Sequence, residues 1–241
     1  MPQAEGYSAV LAGATGLVGF QLLKQLLQED RCRSLTVLAR RPLPQLPGLE
    51  MPRDKLHVIT ADFDRMDEAL NDIQADVVFC ALGTTIKKAK SQEAFRQVDL
   101  GYPVALGEWA KAHGASKMII VSAMGANEKS AVFYNRVKGE AEAALRVIGL
   151  PELHIVRPSL LLGKREEFRL GEKIAVLLGP ALSLLMQGPL RGYRPVHAED
   201  VAAFMRNIAS VPQETLAPYV RIYENDTITT SRRKTRHQSA G

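Results

Sequence analysis

Gly13-Ala14-Thr15-Gly16-Leu17-Val18-Gly19 decides how this chain is read. Its glycines recur every three residues, between the apolar run Ser8–Ala12 and a stretch in which Leu17, Val18, Leu22, Leu23, Leu26 and Leu27 fall largely at helical spacing. Strand, glycine turn and helix, in that order, make the setting of a dinucleotide cradle. Glycine permits the tight turn and the close approach of backbone to a pyrophosphate. The helix start offers free N–H groups and the positive end of its dipole. Gly19 lets the helix lie near the sheet. Without its flanks the same triplet would be only a glycine-rich turn.

Outward from the turn, strands are expected at Leu35–Ala39, Leu56–Ala61, Val77–Ala81, Lys117–Val121 and Leu153–Val156. Helices are expected at Met66–Ile73, Gln92–His113, Phe133–Ile148 and Asp200–Ser210, with Gly101 and Pro103 weakening the second. Pro42–Pro52, with four prolines and a glycine, reads as a loop. Strands alternating with helices imply right-handed crossovers and a doubly wound parallel α/β sheet covered on both faces. Ligands of such sheets sit at the carboxyl ends of the strands.

A chain of 241 residues is long enough for one large domain, here residues 1–230. Substrate-side elements fall at about 163–195, and residues 231–241 read as a basic, disordered tail. The net charge is +5, but Arg232, Arg233, Lys234 and Arg236 supply much of it, so charge does not argue for a nucleic-acid partner. Cys32 and Cys80 lack metal spacing and read as reduced thiols, and His113, His154 and His197 lack clustered partners; no metal is expected. No secretory signal is read at the N-terminus. Ile174–Met186 is apolar but too short to cross a bilayer and interrupted by Gly179-Pro180, so it suits a pocket wall or an interface. A cytoplasmic location is expected.

Chemistry-bearing residues follow the strand ends. Where a carboxylate would hold the ribose hydroxyls of NAD, this chain has Ala39-Arg40-Arg41. A guanidinium pairs with a 2′-phosphate, so NADP(H) is preferred over NAD(H), with Arg40 placed first and Arg41 beside it. Asp62 can accept from an adenine amino group or cap the following helix. Ala81-Leu82-Gly83 is small enough for ribose to lie against its backbone. Ser122 ends one strand, and Tyr134 and Lys138 share a face of the next helix. A nearby ammonium favours a phenolate. Tyr134 can then exchange a proton with a carbonyl or alcohol oxygen that the Ser122 hydroxyl holds. Alternatively, Tyr134 packs an edge and Lys138 is solvated.

These residues resemble the short-chain dehydrogenase/reductase superfamily. The spacing is similar to that of its extended and atypical members, and the closer likeness is to the Tat-interacting-protein oxidoreductase branch and its bacterial relatives. Gly13–Gly19, Val98-Asp99 with Tyr102, Ser122–Ala126, Tyr134–Glu140, Arg157–Leu162, and Arg165–Glu167 before Gly171-Glu172 carry it. The resemblance implies a Rossmann-like fold with a small C-terminal substrate part and NADPH binding. Gly13, Thr15, Gly16, Leu17 and Val18 would contact phosphate, Arg40 the 2′-phosphate, and Asp62 with Phe63 the adenine. Ala81, Leu82 and Gly83 would line the ribose, Ser122, Tyr134 and Lys138 would form the active-site trio, and Pro158, Ser159 and Leu160 the nicotinamide shelf. Many superfamily members have Asn where Val98-Asp99 stands, so a proton relay through that amide is not carried over.

The leading expectation is an NADPH-dependent oxidoreductase of a small, largely apolar carbonyl or alcohol compound. An NADPH-responsive binding protein with a protein partner is the alternative. A nucleotide-sugar epimerase or dehydratase is the third reading. A homodimer through the helices at Gln92–His113 and Phe133–Gly149 is also compatible with the sequence.

Overall fold

The computed structural model describes residues 6–43, 54–163, 193–212 and 218–238. Most of the proline-rich loop, the apolar stretch Ile174–Met186 and the last three residues of the basic tail lie outside the described residues. The strands are β1 (Tyr7–Ala12), β2 (Cys32–Ala39), β3 (Leu56–Thr60), β4 (Val77–Cys80), β5 (Lys117–Val121), β6 (Glu152–Arg157), β7 (Leu161–Leu162), β8 (Val196–His197) and β9 (Tyr219–Glu224). Seven of them form one parallel sheet in the order β3-β2-β1-β4-β5-β6-β9. The short β7 and β8 pair separately. The chain order reverses between β1 and β4, which opens a crevice at their carboxyl ends.

The helices are α1 (Leu17–Leu27), α2 (Met66–Ala69), α3 (Ile86–Ala89), α4 (Gln92–Arg96), α5 (Tyr102–Ala112), α6 (Phe133–Ile148), α7 (Ala198–Ser210) and α8 (Asn225–Gln238). Alternation along β1 sorts the core into two layers. Ala9 and Leu11 pack with Leu22, Leu23 and Leu26 of α1 and with Val201 and Met205 of α7. Val10 and Ala12 face Leu106 and Trp109 of α5 and Leu145 of α6. Each such aliphatic side chain contributes roughly 1.5–3 kcal/mol on burial. No helix of the described residues is long and apolar enough to cross a membrane.

The helix expected over Gln92–His113 is present, but its middle, Gln97–Gly101, is π-helical. The Tyr102 N–H donates to the Gln97 carbonyl, five residues back. Pro103 has no N–H for the carbonyl four residues before it, so the α pattern is interrupted here. Asp99, in this stretch, is buried.

The C-terminal part corrects the sequence reading. The tail expected to be disordered from residue 231 is helical as far as Gln238, and the domain limit at 230 falls inside α8. The first half of α8, Asn225–Ser231, is poor in helix-favouring residues, but its start is anchored. Asn225 Oδ1 accepts from the Ser159 N–H at 3.1 Å, its Nδ2 donates to the Arg194 carbonyl at 2.8 Å, and Ile228 is fully buried. Docking rather than propensity holds such a helix. The preceding strand β9, also unread, pairs with β6 along its whole length.

Candidate functional site

The glycine turn lines a cleft of about 600 Å³ at the carboxyl ends of β1, β2 and β4. A Cβ on Gly13 would lie 2.5 Å from the Ala81 carbonyl, and one on Gly19 would lie 2.1 Å from the Gly13 oxygen. Gly13 also has a φ of +93°, which side-chain-bearing residues rarely adopt. Bare backbone therefore forms the wall of the cleft, as a diphosphate requires. Helix α1 starts at Gly16 with no side-chain cap and no acidic residue in its first turn, leaving its amides to an anion. These features fit a dinucleotide.

Gly13, Thr15, Gly16, Arg40, Arg41, Phe63, Ala81, Leu82 and Gly83 all line this cleft. Leu17 and Val18 do not: the Val18 side chain is buried and Leu17 packs on the same core, so only their main chain remains for phosphate. Asp62 lines an adjoining hollow with Arg40, Arg41 and Ala61. Its Oδ1 accepts from the Asp64 N–H at 3.2 Å, which realises the capping alternative. The Arg40 guanidinium lies 5.9 Å from the Phe63 ring centre. Phe63 in turn meets Tyr102 edge-on at 5.3 Å. Val98 and Tyr102, one helical turn apart, line the same cleft, a role not assigned to either from the sequence.

Tyr134 and Lys138 stand one turn apart on α6, Tyr134 37% exposed and Lys138 buried. Lys138 Nζ lies 2.8 Å from Asp99 Oδ1, and Asp99 Oδ2 accepts from the Thr84 N–H at 2.9 Å. Burial pushes the ammonium down, but the Asp99 carboxylate, joined by Tyr134 and Cys80, more than offsets this and raises it above the ordinary lysine value. Ser122 is placed differently. Its hydroxyl donates to Glu142 Oε1 at 2.6 Å, two turns beyond Tyr134 along α6. Glu142 also accepts from Arg157 Nε at 2.9 Å and Nη2 at 2.6 Å, and Arg157 reaches Glu224 at 2.8 Å.

The shelf Pro158, Ser159 and Leu160 is tied on both sides. The Pro158 carbonyl accepts from the Met124 N–H at 3.0 Å, the Ser159 N–H donates to Asn225, and the Ser159 hydroxyl donates to the Arg194 carbonyl. Leu160 is exposed. Asp99, Glu142, Arg157 and Asn225 are parts of this region that spacing did not reveal. Each takes at least one partner from another element, although Glu142 also pairs with Arg146 on its own helix.

Comparison with known proteins agrees with this geometry. Residues 13–212 match a family model described as NAD(P)H-binding. The chain is 35% identical over 199 residues to "Protein FMP52, mitochondrial" of Candida albicans, covering 80% of this chain and 84% of that one. It is 36% identical over 169 residues to protein HTATIP2 of Rattus norvegicus, covering 70% and 68%. Among solved structures, Helicobacter pylori ADP-L-glycero-D-manno-heptose-6-epimerase aligns with a TM-score of 0.65 at 19% identity, covering 91% of this chain and 77% of that one. A short chain dehydrogenase family protein from Francisella tularensis aligns at 0.60 and 13%, covering 93% and 99%. At such identities the structures show the shared Rossmann-like fold.

Proposed function

The chain belongs to the NAD(P)H-binding family, within the atypical short-chain dehydrogenases/reductases, and on that footing we propose that it is an NADP(H)-dependent oxidoreductase of a small, largely apolar carbonyl or alcohol compound. The observation that carries this reading is the Lys138 ammonium, one turn from Tyr134 on α6 and 3.9 Å from where a Cβ on the cleft-lining Gly83 would stand. The glycine-turn amides of Gly13, Thr15, Gly16, Leu17 and Val18 would hold the diphosphate. Arg40 and Arg41 would take the 2′-phosphate, Asp62 and Phe63 the adenine, and Ala81, Leu82 and Gly83 a ribose. Pro158, Ser159 and Leu160 would back the nicotinamide. NADPH, when bound, supplies the hydride. Tyr134 gives its phenolic proton to the substrate oxygen, and Lys138 steadies the phenolate left behind. The Ser122 hydroxyl donates to Glu142, so the proton for the substrate oxygen would come from Tyr134.

The test is a fluorescence titration with NADPH and NADH. NADPH binds more tightly in the native protein, and Arg40→Ala loses about tenfold for NADPH alone, the worth of one charge-assisted hydrogen bond. Equal affinities in the native protein would remove the 2′-phosphate assignment. With a carbonyl substrate that the native protein turns over, Tyr134→Phe keeps NADPH affinity and loses about a hundredfold or more in turnover. Undiminished turnover would remove its acid/base role.

The commitment of Ser122 to Glu142 favours a second reading, an NADPH-responsive binding protein without turnover. NADPH would then protect the segment Thr84–Ser91 from proteolysis while a broad carbonyl screen consumes none of it. Consumption in the screen, or unchanged cleavage, rules this reading out.

A further inference from the structure

Resting on the NADP(H) reading above, we propose that Asp99 is a positioning residue that keeps Lys138 charged and aimed at a cofactor ribose. Three elements meet at this carboxylate. It contacts Lys138 of α6 at 2.8 Å, with both side chains at most 6% exposed, and it takes the Thr84 amide just past β4 at 2.9 Å. Asp99 itself belongs to the π-helical stretch before Pro103. A Cβ on Gly83 would lie 3.5 Å from Asp99 Oδ1 and 3.9 Å from Lys138 Nζ. With hydrogen there instead, residue 83 places no side chain between the pair and the cleft that it lines. A ribose hydroxyl reaching past Gly83 meets an ammonium already oriented.

The physical requirement is a counter-charge. A lysine buried without one sheds its proton rather than remain charged in a medium of low polarity. The other titratable groups facing Lys138 are Tyr134 on α6 and the Cys80 thiol ending β4, which burial pushes up to about 11. Neither is a carboxylate, so among the described residues the balancing charge comes from Asp99. A neutral side chain of the same shape fills the space and still leaves the ammonium uncompensated.

NADPH titrations of Asp99→Asn, Lys138→Met and the double variant, each relative to the native protein at about pH 6.5 and about pH 9, test this. Lys138→Met is about tenfold weaker at both pH values, the loss of one charge-assisted hydrogen bond. Asp99→Asn matches it at the higher pH, where its lysine is neutral, and recovers most of the loss at the lower pH, where the lysine regains its proton. The double variant behaves as Lys138→Met at both and melts above Asp99→Asn at the lower pH. Asp99→Asn with native affinity at the higher pH, or with a loss independent of pH, overturns the proposal. If Asp99→Asn does not fold, a folded double variant supports the counter-charge role, and an unfolded one overturns it. Native protein that binds no NADPH defeats the cofactor reading itself. Native binding with no loss in Lys138→Met defeats only the present proposal.

Discussion

Ser122 and Glu142 show how one hydrogen bond changes what a residue can offer. A hydroxyl has a single proton, and Ser122 gives it to a carboxylate that Arg157 grips through two nitrogens. Hydrogen bonding to Glu142 is the chief reason the Arg157 guanidinium is held well above its ordinary value. Ser122→Ala should therefore cost about 1 kcal/mol of stability in denaturant unfolding and leave NADPH affinity within about twofold. A hundredfold loss of turnover at unchanged stability would instead put the hydroxyl on the substrate. That the glycine turn and Arg40 share one cleft was legible in the sequence because it depends on neighbours along the chain. Asp99 and Glu142 were not, because a lone carboxylate on a helix usually faces water, and only tertiary packing turns these two inward. Asp62 had two open roles, and a carboxylate with two oxygens leaves one for adenine after capping with the other.

Among the elements, α6 carries a constraint almost as tight as that at Gly19 on α1. A Cβ on Gly139 would come within 2.2 Å of Asn127 and Glu128 backbone atoms, which cannot swing aside as a side chain would. Gly139→Ala should push α6 off the 127–128 segment and move Tyr134 and Lys138 together. We expect a loss of about 1–3 kcal/mol in stability, the usual cost of overpacking, with weaker NADPH binding in the same variant. A variant with both properties unchanged would show that this close approach is dispensable. The long helices and central strands follow from periodicity. The π-helical turn was visible only as a weakness at Gly101 and Pro103. Helix α8 was hidden, because one buried isoleucine and an anchored asparagine do the work normally shared by an apolar face.

For the molecule as a whole, a second polar cluster lies inside the fold, between the sheet and α7. Lys117 pairs with Glu152 at 3.1 Å and donates to the Ile208 and Val211 carbonyls at the end of α7. His154 contacts Glu152 at 3.2 Å and the Tyr223 hydroxyl at 3.0 Å. Burial, foremost, holds His154 below its ordinary value despite Glu152. The folded state thus binds this proton less readily than the unfolded chain, whose histidine titrates near about 6.5. Its stabilising contribution is full above that pH and fades as the pH falls below it. His154→Gln should flatten the decline in urea midpoint between about pH 7.5 and about pH 5.5 relative to the native protein; an identical decline would exclude His154 as its source. The doubly wound architecture itself was legible because strand and helix alternate from Ser8 to Val156. Its closing strand was not, since Tyr219–Glu224 follows a long departure from that rhythm. That late arrival has a cost during synthesis on the ribosome. Until Tyr219–Glu224 emerges, the nascent chain exposes the unpaired rim of Glu152–Arg157, a template for strands of neighbouring polypeptides. Premature termination after Ser210 would make that exposure permanent, and the truncated product should collect in inclusion bodies.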